Sequence, residues 1–385
     1  MKKLILTLLM LVLIAPVFAN PDPDTTLTTA SLGYPYTLPF QVNVRFSEPV
    51  TGFDLSSVNI VNATIEIILS SGSNYILKIT PTLPGPISIF VPANSVKSLS
   101  TGTPNKVSNK LIIMALDPIL NPSSNFDLSV WNLILPIPLG GLFEAIAIDN
   151  AALNGYPILN TGYSNPPYFY TDTVAGSMNF FAPVNGATTP NCFFPRSELS
   201  EVIKDFPFKN WKFHTFSSSS LTASVLVTQV PPLKKIVIGK IQDKGTTDEF
   251  GTIVAKKSLV KLFYDLNQLD PNGKPCNGCL YARIRPVPAQ DRFLKTITLA
   301  NNTPLNKLFI YQIKLLRDGK LTIKINDRST SYNLNTSTDN TVGWGTQELL
   351  FKAGVYVPEN GPSNVLGGAA KFYSLQIRHT GCPEE

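Results

Sequence analysis

The sequence predicts an all-β protein in which a small sandwich is followed by a larger two-sheet β-jelly roll. Short runs rich in Val, Ile, Thr and Phe recur between turn residues along the chain, as expected for strands joined by tight connections. Proline occurs 32 times, glycine 24 times, and only 15% of residues are charged. This composition disfavours helix bundles, and the larger second part of the chain shows no long amphipathic helical pattern.

The first 19 residues have the three regions of a secretory signal peptide. Lys2 and Lys3 supply the positive start, an apolar run follows over 4–17, and residues 17–19 form a small-residue cleavage site. The apolar run is too short for a stable membrane span, and no later stretch reaches about 18 uninterrupted apolar residues. We therefore expect residues 1–19 to be removed and the mature protein to be secreted, without a membrane span.

The charge balance of the mature chain is mildly basic. Removal of Lys2 and Lys3 leaves 30 basic against 26 acidic residues, a net charge of +4. Such an excess is compatible with an acidic partner. A dense block of like charge, which would indicate nucleic-acid binding, is missing from the sequence. About 365 residues remain after the signal peptide, which is enough for two domains.

The pattern over residues 26–114 predicts a small all-β unit. Alternating polar and apolar residues occur at 37–46 and 74–81, and a further apolar run occurs at 87–91. Pro, Gly, Ser and Asn separate these runs, which is the punctuation expected between short antiparallel strands. Several short strands at this spacing favour a sandwich of two sheets.

Three stretches of this unit match a known module. They are VNVRFSEPVTGF beginning at Val42, YILKITP beginning at Tyr75 and VPA beginning at Val91. Together they resemble the bacterial immunoglobulin-like repeat over residues 34–114. The resemblance implies an immunoglobulin-like sandwich that serves as a spacer or adhesion unit, with Glu48 as a turn residue.

A proline- and serine-rich segment, 115–124, predicts a linker to a second domain over 125–385. The strand-like runs of the second domain are 221–230, 235–242, 259–264, 280–286, 308–315, 321–326 and 372–379. Some 260 residues of this kind exceed a single immunoglobulin-like unit and suit a two-sheet, concanavalin-like β-jelly roll. One large sheet with a polar concave face would be the natural place for a chain-like ligand.

Three strands of the second domain carry polar side chains on one face. Because side chains alternate along a strand, residues two or four apart share a face. The same-face pairs are Arg196 with Glu198, Lys240 with Gln242, and Lys352 with Tyr356. Apolar residues such as Phe351, Ala353 and Val355 occupy the opposite face. We therefore expect the three strands to form one polar floor.

The cysteines favour a disulfide over a metal site. Cys276 and Cys279 enclose Asn-Gly, a hairpin-tip sequence, and in an exported chain they predict a tight loop disulfide. The other cysteines are Cys192 and Cys382, and the two histidines are His214 and His379. A zinc site would need a second cysteine pair or nearby histidines, so we expect no metal. Both histidines are interpreted as structural or surface residues.

Six stretches of the second domain, spread over residues 125–381, match one family in order. They are FDLSVWNLILP at 126–136, MNFFAPVNG at 178–186, PRSEL at 195–199, VIGKIQ at 237–242, FKAGVY at 351–356 and FYSL at 372–375. The series resembles the alginate lyase family, polysaccharide lyase family seven. The resemblance implies a β-jelly roll that cleaves an acidic, alginate-like polysaccharide by β-elimination, without a cofactor.

Elimination at a uronate requires removal of the C5 proton, stabilisation of the charge on the carboxylate, and protonation of the leaving oxygen at C4. The resemblance implies that Arg196 binds the substrate carboxylate, which suits its planar guanidinium fork, and that Tyr356 donates the proton to the leaving oxygen. The family usually has Gln-Ile-His where this chain has Lys240-Ile241-Gln242. Lys240 can still neutralise a carboxylate, whereas Gln242 can hydrogen-bond in the site but cannot act as a base.

This departure leaves three interpretations open. In the first, Tyr356 is both base and acid, which the family's mechanism permits when the C5 proton and the leaving group lie on the same side of the sugar, as in mannuronate. Arg196 and Lys240 would then lower the pKa of the tyrosine. In the second, the domain is a degenerate lyase that binds acidic polysaccharide through Arg196, Lys240 and Lys352. In the third, the substrate is another acidic glycan.

Other polar residues have secondary roles in this scheme. We expect Glu198 to orient Arg196, its neighbour on the same strand face. Lys352 either contacts the substrate or is a solvated strand lysine. A further same-face row, which would extend the groove, consists of Tyr281, Arg283 and Arg285.

Overall fold

A computed structural model describes residues 22–140, 143–156, 160–190, 192–202, 211–245, 256–270, 272–290, 292–339 and 342–381. These ranges contain 25 β-strands, two short α-helices and one 3₁₀ helix, so the predicted all-β class is confirmed. The predicted signal peptide, residues 1–19, and Cys382 lie outside the described residues. No helix in the described ranges is long and apolar enough to cross a membrane.

The N-terminal unit is a sandwich of two four-stranded sheets. Its strands are β1 (Thr25–Thr28), β2 (Gly33–Pro35), β3 (Phe40–Phe46), β4 (Val50–Thr51), β5 (Asn59–Val61), β6 (Ala63–Ser71), β7 (Asn74–Pro81), β8 (Gly85–Phe90), β9 (Lys97–Ser98) and β10 (Leu111–Leu116), and the 3₁₀ helix is Leu55–Ser57. The sheet orders are β1-β3-β7-β6 and β2-β10-β8-β5, while β4 pairs with β9. Every second residue of β3 is buried, as expected for a strand with one face on the core.

The sandwich agrees with the two-sheet unit predicted for 26–114, and its immunoglobulin-like type stays a prediction. Its core is separate from that of the second unit and includes Val42, Leu77 and Ile89. Glu48 accepts hydrogen bonds from Ser98 and Ser100, so it braces a turn of this unit.

The C-terminal unit consists of two large antiparallel sheets. Its strands are β11 (Trp131–Pro138), β12 (Ala145–Ile148), β13 (Phe169–Thr171), β14 (Met178–Pro183), β15 (Arg196–Glu201), β16 (Ser218–Gln229), β17 (Lys235–Asp243), β18 (Ser258–Asp265), β19 (Cys279–Ile284), β20 (Lys295–Ala300), β21 (Leu308–Leu316), β22 (Lys320–Ile325), β23 (Arg328–Asn333), β24 (Leu349–Tyr356) and β25 (Gly367–Thr380); the helices are α1 (Pro122–Asn125) and α2 (Asn150–Asn154). The eight-stranded sheet has the order β12-β11-β15-β24-β17-β18-β19-β20, and the seven-stranded sheet β13-β14-β25-β16-β21-β22-β23. This two-sheet architecture is the one predicted.

Burial patterns show which sheet carries the site. In β21, buried and half-buried residues alternate, as expected when one face packs on the core and the other faces water. In β24 all eight residues are buried. Phe351, Ala353 and Val355 belong to the core between the sheets. The side chains on the opposite face of β24 must therefore be covered by other groups, and those groups form the candidate site.

The junction between the units is ordered. The predicted linker, 115–124, contains the end of β10 and most of α1. Asn125 accepts a hydrogen bond from the Asp117 backbone at 2.8 Å and donates one to its carbonyl at 2.7 Å. Gly33 packs directly on β25, since a Cβ at this position would lie 1.6 Å from the Tyr373 carbonyl oxygen. The close approach requires glycine. The boundaries at 114 and 125 stay a prediction.

Candidate active site

Three central strands of the eight-stranded sheet carry the residues of the predicted polar floor. β15 pairs with β24, and β24 pairs with β17. Arg196 lies opposite Tyr356 in the first pair, and Lys240 lies opposite Lys352 in the second. Sheet order therefore brings together side chains from three separate parts of the sequence, as the shared-face pattern predicts.

A β-bulge gives Lys240 its orientation. The bulge interrupts the pairing of β17 between Val237 and Gly239, and Ile238 faces the core between the sheets. With regular alternation, Lys240 would face the core as Ile238 does. The extra residue of the bulge turns Lys240 to the opposite face of the sheet, which carries the site. Gly239 fits beneath the Tyr311 ring, since a Cβ would lie 2.8 Å from the phenol oxygen.

Gly354 lies in β24 between the two functional residues Lys352 and Tyr356. It allows β24 to approach β15 closely. It lies opposite Glu198 and has a φ of +135°, a conformation that glycine adopts far more readily than other residues. A Cβ here would lie 2.5 Å from the Ser197 carbonyl oxygen. The carboxylate of Glu198 is thus held within reach of the lysine on the neighbouring strand.

A buried carboxylate lies at the centre of the site. The Glu198 oxygens lie 2.9 Å from Lys240 Nζ, 3.6 Å from Lys352 Nζ and 3.7 Å from Arg196 Nη1. All four residues are buried, and the side chain of Glu198 is 3% exposed. We expected Glu198 to orient Arg196, but its nearest partner is Lys240. Glu198 therefore acts as a common counter-ion for three cations.

The charges of the site are tightly coupled. Burial would raise the pKa of Glu198, but Lys240, Lys352 and Arg196 outweigh burial and lower it to about 2. Burial lowers the pKa of Lys240 to about 8 and that of Lys352 to about 7, although Glu198 opposes both shifts. Three basic groups share one carboxylate, so the site retains an attraction for a further anion.

Tyr356 lies among the cations of this site. The Arg196 guanidinium carbon, Lys240 Nζ and Lys261 Nζ lie 4.9, 4.8 and 5.1 Å from the centre of its ring. Burial nevertheless raises the pKa of Tyr356, Cys192 raises it further, and Arg196 only partly opposes them. The expectation that Arg196 and Lys240 bring the pKa of the tyrosine down is wrong, because desolvation of the phenolate outweighs their attraction.

Gln242 is buried on the same strand as Lys240, two residues further on. It lies opposite Leu350 in β24, so it occupies the position predicted from the sequence. The ion pairs of Glu198 involve Lys240 and Lys352 but not Gln242. A side-chain amide does not ionise near neutral pH, so it cannot act as a base. Its hydrogen-bonding role in the site stays a prediction.

The row predicted to extend the groove is largely structural. Tyr281 is fully buried and donates a hydrogen bond to Asp265 at 3.0 Å. Arg283 lies against the Tyr281 ring, with its guanidinium carbon 5.6 Å from the ring centre. Arg285 is buried and its Nε donates to the Ser258 carbonyl at 3.2 Å. Tyr281 and Arg285 thus tie neighbouring strands together, whereas Arg283 is half-buried and its place in the groove stays a prediction.

Neither histidine replaces the missing base. His214 is exposed in a turn. His379 contacts Ser219 at 2.8 Å and Glu201 at 2.7 Å. Because Glu201 is three residues from Glu198 in the same strand, its side chain lies on the opposite face of the sheet. Both histidines therefore have the structural or surface roles predicted for them.

Two site residues were not identified from the sequence. Lys261 pairs with Lys240 from the next strand of the sheet. Cys192 is half-buried in the loop before β15, and its Sγ contacts Arg196 Nη2. Proximity to the PRSEL stretch was the available signal for Cys192. A disulfide joins Cys276 to Cys279 beside this site, and the described ranges hold no cluster of three or more His, Cys, Asp or Glu suited to a metal.

The comparisons with known proteins agree with this geometry. The family model described as Alginate lyase matches residues 126–379. The structure resembles the crystal structure of an alginate lyase from Pseudomonas aeruginosa, with 30% identity and a TM-score of 0.53, over 66% of this chain and 100% of that one. It also resembles alginate lyase A1-II′, described as a member of polysaccharide lyase family-7, with 28% identity and a TM-score of 0.53. This match covers 68% of this chain and 99% of that one.

A curated relative gives a shorter match. An alginate lyase of Klebsiella pneumoniae is 36% identical over 84 residues, which is 22% of this chain and 25% of that protein. This alignment spans a quarter of the relative, whereas the family model spans most of the C-terminal unit. The match over 126–379 is decisive, and the chain belongs to the alginate lyase family.

Proposed function

We propose that the protein is a polysaccharide lyase that cleaves an alginate-like polyuronate by β-elimination on the eight-stranded sheet. The observation that carries this proposal is the buried Glu198 carboxylate, which is ion-paired with Arg196, Lys240 and Lys352. Two of these cations, Arg196 and Lys240, lie beside the Tyr356 ring. Family membership supports the reaction class. The roles of the individual residues are proposals.

Arg196 and Lys240 neutralise the uronate carboxylate. Removal of the C5 proton places negative charge on the neighbouring carboxylate, and preorganised cations stabilise it most where water is excluded. Arg196 is 5% exposed, so few water molecules compete with the substrate for its guanidinium. Lys352 supports the site through Glu198, which it contacts at 3.6 Å.

Tyr356 donates the proton to the leaving oxygen. Burial raises its pKa, so the phenol stays protonated at neutral pH and is available as a general acid. The same shift disfavours a mechanism in which the tyrosine alone is both base and acid, and it favours a separate proton acceptor.

The second candidate function is that of a catalytically degenerate lyase which binds acidic polysaccharide. Gln242, where the family usually has histidine, favours this alternative because an amide cannot accept the C5 proton. The cationic site would bind uronate carboxylates in either case. The two functions differ in one product, the unsaturated uronate, which only elimination produces.

The deciding experiment combines activity and binding. Purified mature protein is incubated with mannuronate-rich alginate, guluronate-rich alginate and other polyuronates, while ultraviolet absorbance follows the unsaturated product. Binding to each polymer is measured in parallel by calorimetry. A rise in absorbance on an alginate supports the lyase. Binding without product on every polymer would leave only the degenerate lyase, and product on a different polyuronate would change the substrate class.

We also propose that the protein is secreted and that the N-terminal unit presents the lyase unit as an immunoglobulin-like spacer. Residues 1–19 support export by their charged, apolar and small-residue regions. The separate core of the N-terminal sandwich supports a distinct module. Fractionation of cells that express the full chain tests export, and the N-terminal sequence of the mature protein tests cleavage after Ala19.

A further inference from the structure

Cys192 lies beside the cations of the candidate site although the sequence motifs do not include it. It precedes β15 and is half-buried, so part of its side chain remains accessible. Its Sγ contacts Arg196 Nη2, and it packs against the side-chain cluster that contains Tyr356. The thiol thus touches the group proposed to bind the carboxylate and lies close to the group proposed to donate a proton.

An open hydrogen-bond donor lies next to the thiol. Arg196 Nε has no hydrogen-bond partner among the described residues, and the side chain is 5% exposed. A buried, unpaired donor of a charged group is costly unless a ligand completes it. The uronate carboxylate is suited to this N–H. Since C5 is bonded to the carboxylate carbon, its proton would then lie beside Cys192.

The other titratable groups described at the site are less suited to accept the C5 proton. Lys240 and Lys352, whose pKa values burial lowers to about 8 and about 7, are at most 5% exposed and are ion-paired with Glu198. Gln242 does not titrate, burial raises the pKa of Tyr356, and His379 is engaged with Glu201. Glu198 is ionised but bound by three cations, which makes it a weak base. Cys192 is the remaining accessible group that becomes a good nucleophile and base when it loses its proton.

We propose that the thiolate of Cys192 removes the C5 proton of the bound uronate while Tyr356 protonates the leaving oxygen. This inference rests on the proposed lyase function and specifies its missing base. The surroundings of the site shift the pKa values of Cys192 and Tyr356 in opposite directions. Burial would raise the pKa of the Cys192 thiol, but Arg196 and Lys240 lower it below its ordinary value, while burial raises that of Tyr356. Such a separation is what an acid–base pair requires.

Atoms and charges balance over the cycle. The C5–H bond breaks and its proton forms an S–H bond with Cys192; the electron pair forms the C4–C5 double bond, and the C4–O bond breaks. The leaving oxygen takes the phenol proton of Tyr356. The thiol then returns its proton to the nearby phenolate. Both residues regain their starting states without another reactant.

Because Cys192 packs against the cluster that contains Tyr356, base and acid lie on the same side of the bound sugar. This arrangement suits mannuronate, in which the C5 proton and the leaving oxygen share a face, and it disfavours guluronate. The charged and titratable groups around the thiol are Arg196 and Glu198 on β15, Lys240 on β17, Lys261 on β18, and Lys352 and Tyr356 on β24. The cations outnumber the single carboxylate, so they favour the thiolate.

The test uses the mature chain and mannuronate-rich alginate. Cys192→Ser keeps a hydrogen-bonding group of similar size but removes the acidic thiol, and Cys192→Ala removes both. We expect each to lower kcat by about 10²–10⁴-fold with little change in KM. Cys382→Ser, at a cysteine outside the described residues, is the matched control and should retain wild-type kcat. Circular dichroism of each variant verifies the fold.

Alkylation gives a second readout that needs no substitution at Cys192. In the Cys382→Ser background, iodoacetamide should abolish activity, oligomannuronate should protect, and the rate should rise with pH through a pKa below that of an ordinary thiol. Wild-type kcat in folded Cys192→Ser, or full activity after complete alkylation, would overturn the proposal while the lyase function stands. A wild type that forms no unsaturated product on any polyuronate would overturn both.

Discussion

Replacement of the central carboxylate tests the electrostatic account of the site. Glu198→Gln preserves the shape of the side chain but leaves Arg196, Lys240 and Lys352 without their shared counter-ion. Removal of one partner from a buried ion pair costs about 3–5 kcal/mol. The free energy of unfolding of a typical folded protein is about 5–15 kcal/mol. We therefore expect a folded but strongly destabilised variant.

The depressed pKa of Glu198 leads to a similar magnitude. Its ordinary value of 4.5 falls to about 2 in the folded protein. A tenfold change in proton affinity corresponds to about 1.4 kcal/mol, so the ionised form contributes about 3 kcal/mol to stability. Because the folded pKa is depressed, this stability is fully present above pH 4.5 and is lost as pH falls toward 2. Glu198→Gln should abolish this part of the acid dependence.

Urea unfolding at pH 7 and between pH 2 and 5 measures both effects. The exposed pair of Lys78 with Glu66, 3.2 Å apart, provides the control, since Glu66→Gln should cost at most about 1 kcal/mol. The double variant Glu198→Gln with Lys240→Gln should be less unstable than the two single losses added together, because each removes the other's unpaired charge. Additive losses, or an unchanged acid dependence in Glu198→Gln, would refute the coupled cluster.

Three further predictions address other parts of the molecule. Gly33→Ala should loosen the junction between the units, because its Cβ would lie 1.6 Å from the Tyr373 carbonyl oxygen. Limited proteolysis should then cut the chain between the two units. Gly52→Ala, which has open space around its Cβ, should not have this effect. His379→Asn should lower the free energy of unfolding by about 1–3 kcal/mol with kcat unchanged, since it breaks the contact with Glu201. His214 is exposed, so His214→Asn should change the free energy of unfolding by less than about 0.5 kcal/mol. A loss of kcat in His379→Asn would place this histidine in the reaction. Gln242→His should raise unsaturated product from guluronate-rich alginate at least about tenfold, because it adds a titratable base, and an unchanged preference between the two alginates would contradict this.

Much of the site was predictable because strands impose a simple geometry. The same-face pairs Arg196 with Glu198 and Lys352 with Tyr356 follow from alternation in β15 and β24, and the pairing of these strands supplies the rest. The PRSEL and FKAGVY stretches also carry the family resemblance. Local pattern and family motif therefore coincide on the strands that form the floor of the site.

The remaining features depend on contacts that no local pattern contains. The bulge that orients Lys240 requires the space beneath the Tyr311 ring, which comes from the opposite sheet. The raised pKa of Tyr356 depends on how deeply the finished fold buries it. Cys192 lies in a loop, so its contact with Arg196 follows from tertiary structure and not from strand periodicity.

The central claim is that Tyr356 takes part in elimination at this cationic site. The most direct test is the initial rate of unsaturated product formation on mannuronate-rich alginate by wild type and Tyr356→Phe, with binding of oligomannuronate to both measured by calorimetry. We expect the wild type to form product and Tyr356→Phe to lose about 10²–10⁴-fold in kcat while retaining binding. A Tyr356→Phe variant that forms product at the wild-type rate would contradict the proposed mechanism.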